Sequence, residues 1–234
     1  MPDVRTGEAP DIAALRAEVA ATARMLVRAG LLQAFGHVSA RHGEGIVLTT
    51  VRPLAAATAE DTVVLDASGR VLDGPSDVVP LEAPMHLALH RARPDIRAVC
   101  RAHPPAAVVL GTRLDELPLA HGLGAMSGRR VRVHPDVDLI TTTEAGDAVA
   151  ATLGADTAVL LRANGALAVG PDLVSAAVAL WFLEERARVV LAARALGADP
   201  DPVDDATWDH RMRHTAPEAA RAARWFTATF GDPA

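Results

Sequence analysis

Arg93-Pro-Asp-Ile-Arg-Ala-Val-Cys-Arg-Ala-His-Pro104 and Leu160-Leu-Arg-Ala-Asn-Gly-Ala-Leu167 are the two stretches on which the fold turns. In the first, Ile96 to Cys100 is a short apolar run that reads as a buried strand. His103-Pro-Pro105 then opens a helix running to about Gly111, because proline is tolerated in a first helical turn. In the second, Ala158–Leu161 and Ala166–Val169 read as strands around an Asn164-Gly165 turn. Arg101 and His103 follow the first of these runs, and Asn164 stands in the turn between the other two. Cys100 lies inside the first run, where a buried, inert thiol is expected rather than a nucleophile.

Working outward, Ile12, Leu15, Val19, Ala23 and Leu26 recur at steps of three and four, which predicts a helix over 11–30 with Gly30 as its stop. Val38-Ser39 and Gly45–Thr50 predict a strand pair, and Thr62–Asp66 with Val71-Leu72 a second hairpin. Pro80-Leu-Glu-Ala-Pro84 opens a helix to about Ala92. Further strands are expected at 130–134 and 138–141, a helix at 143–153, and a long amphipathic helix from Pro171 to about Leu196. A Pro/Asp-rich break at 198–204 precedes a helical segment ending near Phe230. The mixture suits one α/β layered domain. The expected division is a flexible 1–10, a domain over 11–197, and a helical extension over 198–234 that packs on the domain or on a neighbouring subunit.

Composition narrows the chemistry. A chain of 234 residues, half of them hydrophobic, can bury one substantial core. Its net charge of -6 argues against a nucleic-acid surface. Charges break the apolar segments well short of the roughly 18 residues that would span a membrane. Met1-Pro-Asp-Val-Arg-Thr-Gly-Glu8 has no apolar targeting core, so a cytoplasmic location is expected. All 23 basic residues are Arg. Without lysine, Schiff-base chemistry, pyridoxal phosphate anchoring and a P-loop are excluded. There is no Tyr either, so proton transfer falls to Glu, Asp, His, the lone Cys or water.

The two opening stretches resemble the metal-binding stretches of the class II aldolase/adducin family, and further blocks follow in the family's order. Gly36-His-Val-Ser-Ala-Arg41 is similar to its Gly-(Asn/His)-(Val/Ile)-Ser-x-Arg strand, and Leu48-Thr-Thr50 sits at its Leu-(Ile)-(Thr/Asn)-Pro turn. Glu82, four residues before His86, matches a Glu-x-x-x-His helix start, and Val169-Gly170 leads to the Glu184-Glu185 helix. The resemblance covers about residues 12–196. It implies a single three-layer α/β/α domain with a central mixed, largely antiparallel sheet. It also implies a homotetramer with sites at subunit boundaries, and chemistry in which three His hold zinc while a Glu shuttles the proton.

Carried over residue by residue, the resemblance makes Glu82 the catalytic acid/base; without it, Glu82 is a carboxylate favoured by a helix dipole. His103 takes the second ligand position and a catalytic role. Arg101 takes the first, where a guanidinium has no lone pair to offer a metal, and Asn164 takes the third as a weak oxygen donor. His37, Ser39, Thr49 and Arg52 join them as substrate-binding candidates. Arg52 is either a bidentate anion contact or a solvated loop residue. His121 sits near a site-adjacent His of the family. A structural role is expected for His86 and His90, which share one helix face.

The expected function is therefore lyase-type chemistry on a small carboxylate- or oxo-containing substrate, by decarboxylation, dehydration or carbon–carbon cleavage. No cofactor is expected in the family's manner, with zinc or iron in a rebuilt site (His103, His37 and Glu82) as the alternative. Two other readings stay open: a non-catalytic, adducin-head-like assembly module, and a metal-dependent aldolase or oxygenase with altered ligands.

Overall fold

The computed structural model describes residues 11–200 and 203–233; the segment 1–10, expected to be flexible, lies outside them. Helix α1 (Ile12–Arg28) starts where the Asp11 side chain accepts from the Ala13 amide, and it buries Leu15, Val19, Ala23 and Leu26 along one stripe. Strands β1 (His37–His42), β2 (Gly45–Thr49), β3 (Thr62–Leu65) and β4 (Val71–Asp73) form an antiparallel meander. Helix α2 (Ala83–Ala92) leads into β5 (Ala98–Ala102), which pairs antiparallel with β1, and α3 (Pro105–Gly111) follows directly. After β6 (Val131–His134) and α4 (Thr143–Leu153), β7 (Ala158–Leu161) pairs parallel with β6 and antiparallel with β8 (Gly165–Gly170). The chain ends in α5 (Leu173–Ala195), α6 (Asp205–Met212) and α7 (Thr215–Phe230).

The eight strands make one sheet in the order β4-β3-β2-β1-β5-β8-β7-β6. One pair in it is parallel, so the sheet is mixed and largely antiparallel, as the sequence predicts. The two-residue period of a strand sorts its side chains into two layers. Cys100, Ala102, Ala166 and Ala168 face α1, α3 and α5, where Ala176, Ala177 and Ala179 permit close approach. Val99, Leu167 and Val169 face Met85 and Leu89 of α2 and Val149 of α4. Arg101, alternating with Cys100, lies on this second face, directly opposite His37 in register. Beyond the sheet, α7 packs on α5 through Trp225 against Trp181 at 4.8 Å and through fully buried Phe226.

One expected strand is absent. Residues 138–141 form no ladder because the outer edge of β6 is already taken: the Leu117 amide donates to Val131 and the Val133 amide to Asp115. With no neighbouring strand to pair with, the segment runs as a loop that buries Ile140 and leaves Leu139 exposed, its Thr141 amide donating locally to Leu139.

Gly165 closes the approach of β8 to β5 beneath the polar end of the sheet. Its φ is +98°, and a Cβ there would stand 2.3 Å from the Ala102 carbonyl oxygen and 3.0 Å from Arg101 Nη1. Backbone strain alone costs on the order of 1–3 kcal/mol. Gly165→Ala is expected to lose at least ~2 kcal/mol in chemical denaturation, with strand separation adding to the strain. A midpoint unchanged from wild type would contradict this packing.

Candidate active site

A cleft of about 370 Å³ opens where β1, β5, the β7–β8 turn and the start of α2 converge. His37, Glu82, Arg101, His103 and Asn164 line it, together with Gly36, Phe35, Val51, Leu81 and Leu139. The polar groups form the floor. The rim is apolar and unusually bare: Phe35 is 75% exposed, Leu81 72% and Leu139 56%. A larger cavity of about 530 Å³ between α5 and α7 is lined mainly by Ala, Met and Val; its one carboxylate, Asp172, is engaged in capping α5. The ionisable side chains gather in the smaller cleft.

Arg101 is its centre, 1% exposed. Nη1 donates to the Ala102 carbonyl at 3.0 Å and lies 2.9 Å from Nε2 and 3.2 Å from Nδ1 of His103. Nη2 faces Glu82 Oε2 at 3.4 Å. Burial lowers the guanidinium's pKa while the Glu82 charge raises it, and guanidinium stays protonated at neutral pH. Glu82 stands at the N-cap of α2 yet makes no capping bond, so its carboxylate is turned to the cleft. Three polar atoms here are buried without a hydrogen-bond partner: Glu82 Oε1, Arg101 Nε and His37 Nδ1. Orphaned polar atoms at this density mark a place built to bind something polar.

His103 is half-buried, with Nδ1 3.3 Å from the Phe35 carbonyl oxygen. That carbonyl can only accept, so the proton sits on Nδ1 and Nε2 takes the Arg101 N–H. Burial and the Arg101 charge both lower its pKa, opposed by the Phe35 carbonyl and Asn164. It is therefore a neutral imidazole at pH 7. His37 is held neutral more firmly, its pKa pushed down to about 3 by burial, Arg101 and His103.

The other candidates do not line the cleft. Ser39 is fully buried beneath α2, where its hydroxyl lies 2.8 Å from His86 Nδ1 and 3.1 Å from His90 Nε2. Thr49 accepts the Val38 amide through Oγ1 at 3.0 Å, tying β2 to β1. Arg52 follows Val51 of the rim but turns outward to pair with Asp61 at 3.0 Å. His121 begins the turn at Gly122–Ser127 and packs beside Arg186 and Gly124. Conversely, the apolar rim carries no motif and was not marked in the sequence. His86 and His90 are buried, as expected.

Among the described residues no three His, Cys, Asp or Glu side chains converge as a metal-binding set, and no helix is long and apolar enough to cross a membrane. The site can still stabilise negative charge on a bound oxygen through Arg101 and move protons through a carboxylate and a neutral imidazole.

Comparisons with known proteins identify the scaffold that carries this cleft. The family model described as Class II Aldolase and Adducin N-terminal domain matches residues 17–191. A 3,4-dihydroxyphthalate decarboxylase of Rhodococcus jostii is 30% identical over 214 residues, covering 85% of this chain and 88% of that protein. An L-fuculose phosphate aldolase of Methanocaldococcus jannaschii is 27% identical over 160 residues, covering 67% and 83%. The solved structure of an L-fuculose 1-phosphate aldolase superposes with a TM-score of 0.80 at 26% identity, covering 86% of this chain and 96% of that one. The chain belongs to the class II aldolase and adducin N-terminal domain family, and it is a lyase-type enzyme on that scaffold.

Proposed function

We propose that the protein is a decarboxylase acting on a small carboxylate with a neighbouring hydroxyl or oxo group, through an enolate-type intermediate held against Arg101. The observation that carries this reading is the buried Arg101 guanidinium, set between Glu82 and His103 with Nε unpartnered. Loss of CO₂ breaks the bond to the carboxyl carbon and leaves the electron pair on its neighbour, spread onto the adjacent oxygen. A fixed cation at that oxygen stabilises the developing charge without reorganising. One proton is taken up to make the new C–H bond, so R–CO₂⁻ and H⁺ give R–H and CO₂. Glu82 and His103 carry that proton, and Asn164 and His37 hydrogen-bond the substrate's other oxygens. The apolar rim of Phe35, Val51, Leu81 and Leu139 excludes water and favours loss of the carboxylate charge. Likeness to a 3,4-dihydroxyphthalate decarboxylase supports this choice among lyase reactions and favours a hydroxylated aromatic substrate.

The donor set does not fit the family's three-imidazole zinc. At the first ligand position Arg101 offers positive charge and no lone pair; at the third, Asn164 offers a neutral amide. The remaining imidazole already accepts from Arg101 through Nε2. We therefore route no step through a metal. The exposed rim also supports a homo-oligomer in which a neighbouring subunit closes the cleft, since monomers rarely leave such side chains grouped in water; the family resemblance makes that assembly a homotetramer and the location cytoplasmic.

The test is CO₂ release from a panel of hydroxybenzoates and 2- and 3-oxo acids, with metal analysis of protein purified without chelator. Turnover is expected to be unchanged after treatment with EDTA. Stoichiometric zinc or iron together with chelator-sensitive turnover would replace this reading with a metal-dependent one.

A further inference from the structure

The buried histidines beneath the cleft form a hydrogen-bonded chain whose direction is fixed at one end. His90 Nδ1 lies 3.2 Å from the Ile96 carbonyl oxygen, which can only accept, so Nδ1 carries the proton. The same ring is kept neutral, its pKa pushed down to about 4 chiefly by burial. Its Nε2 is therefore a bare acceptor and takes the Ser39 hydroxyl proton at 3.1 Å. Having donated to His90, Ser39 Oγ accepts from His86 Nδ1 at 2.8 Å. His86 is thereby left with a lone pair on Nε2, and that nitrogen is buried with no partner. The adjacent ring is His37, edge to face with centroids 5.7 Å apart, and its Nδ1 is also buried and unpartnered. His37 in turn lines the cleft.

We infer that this chain, from the Ile96 carbonyl through His90, Ser39 and His86, sets the tautomer of His37 and makes its Nε2 the acceptor for a substrate hydroxyl. No hydrogen bond joins the two rings, since His86 Nε2 and His37 Nδ1 are each without a partner, but the lone pair on the adjacent His86 ring electrostatically favours the form of His37 that carries its proton on the buried Nδ1. Nε2, the nitrogen left for the cleft, then accepts and does not donate. A substrate with an O–H beside its carboxylate satisfies that acceptor, whereas an ether or a bare hydrogen leaves it unpaired in a partly dry site. His37 is thus a specificity-determining residue, and His86, Ser39 and His90 are positioning residues acting through it. The alternative, a purely structural cluster, requires no particular proton direction at His37. The link to a hydroxylated substrate rests on the decarboxylase reading; the tautomer does not.

The experiment is two-bond ¹H–¹⁵N correlation NMR on the full chain labelled with ¹⁵N-histidine, with His37 assigned from the spectrum of His37→Gln. At pH 7.5 His37 is expected to show a protonated Nδ1 and an unprotonated Nε2. Ser39→Ala frees His86 to donate from Nε2, and the His37 Nε2 resonance is expected to move to the protonated range or to an average of the two forms. His90→Phe, which removes the Ile96 anchor, serves as the second variant if Ser39→Ala does not fold. In kinetics, Ser39→Ala is expected to lower kcat/KM for a hydroxybenzoate substrate about tenfold and to leave that for its methyl ether nearly unchanged. A wild-type His37 protonated on Nε2, or a His37 spectrum unaltered in a folded variant, overturns the proposal. If the tautomer pattern holds but neither a hydroxybenzoate nor an oxo acid releases CO₂, the decarboxylase reading fails and the relay stands.

Discussion

Arg101→Met is expected to lower kcat for decarboxylation by about 10³-fold, the size of effect seen when a preorganised donor to a developing oxyanion is removed. Methionine keeps most of the volume and none of the charge. The buried Glu82 carboxylate, whose Oε2 now faces Nη2 at 3.4 Å, would lose its counter-ion while remaining nearly enclosed. Breaking one side of a buried pair costs roughly 3–5 kcal/mol, so the variant should also unfold earlier. Both consequences can be separated. In Arg101→Met/Glu82→Gln the orphaned charge is gone, and stability should return towards wild type while activity does not. Arg101→Lys keeps a cation but loses the planar fork that reaches Glu82, Ala102 and His103 together, so an intermediate loss of about 10–100-fold is expected. Steady-state kinetics and denaturation midpoints of the three variants decide the matter. A folded Arg101→Met enzyme working within threefold of wild type would show that the guanidinium only fills space.

This prediction was reachable from the sequence because Arg101 and Asn164 stand inside motifs whose surroundings are ordinary for the fold. The strand at Ala98–Ala102 and the turn at Asn164-Gly165 follow from local apolar runs and turn chemistry. Alternation then fixes Arg101 on the face opposite Cys100. Such local information did not extend to everything. Ser39 shares the face of His37 and Arg101, but two residues along a strand is about 7 Å, enough to carry it under α2 and away from the cleft. Arg52 neighbours a rim residue in sequence, yet its side chain turns to Asp61 across a surface loop. The spacing of His86 and His90 shows one helix face; that Ser39 bridges them is a contact across 47 and 51 positions, invisible to any periodicity. The strand expected at 138–141 failed for a related reason, since the competitor for the β6 edge, Asp115–Leu117, lies far back in the chain.

Acid should unfold this protein well before its carboxylates protonate, and the buried imidazoles are the cause. His37 titrates at about 3 and His90 at about 4 in the folded chain, and His86 well below its ordinary 6.5. Burial is the largest cause in each case. Arg101 and His103 act further on His37, His37, His90 and Arg101 on His86, and Arg41 and Arg97 on His90. Unfolding restores a pKa near 6.5, so below that pH the unfolded state binds protons that the folded state refuses. Stability contributed by these groups is complete above about pH 6.5 and falls as pH drops towards the folded values. His37 and His90 each lose ~1.4 kcal/mol per pH unit, or about 2 kcal/mol between pH 6.5 and 5. Together they approach about 4 kcal/mol, a large share of the 5–15 kcal/mol that holds a typical domain, and His86 adds a loss of the same sign. The half-buried His103 and His121 and the buried His134, also lowered chiefly by burial, add losses of the same sign. Urea unfolding at pH 7.5, 6.0 and 5.0 tests this directly. His90→Phe should shallow the dependence by about one proton. Stability that stays flat from pH 7.5 to 5.0 would mean that the imidazoles are reached by water and protonate in place. The direction fixed by the Ile96 carbonyl could not then hold, because a doubly protonated His90 has no acceptor left for Ser39.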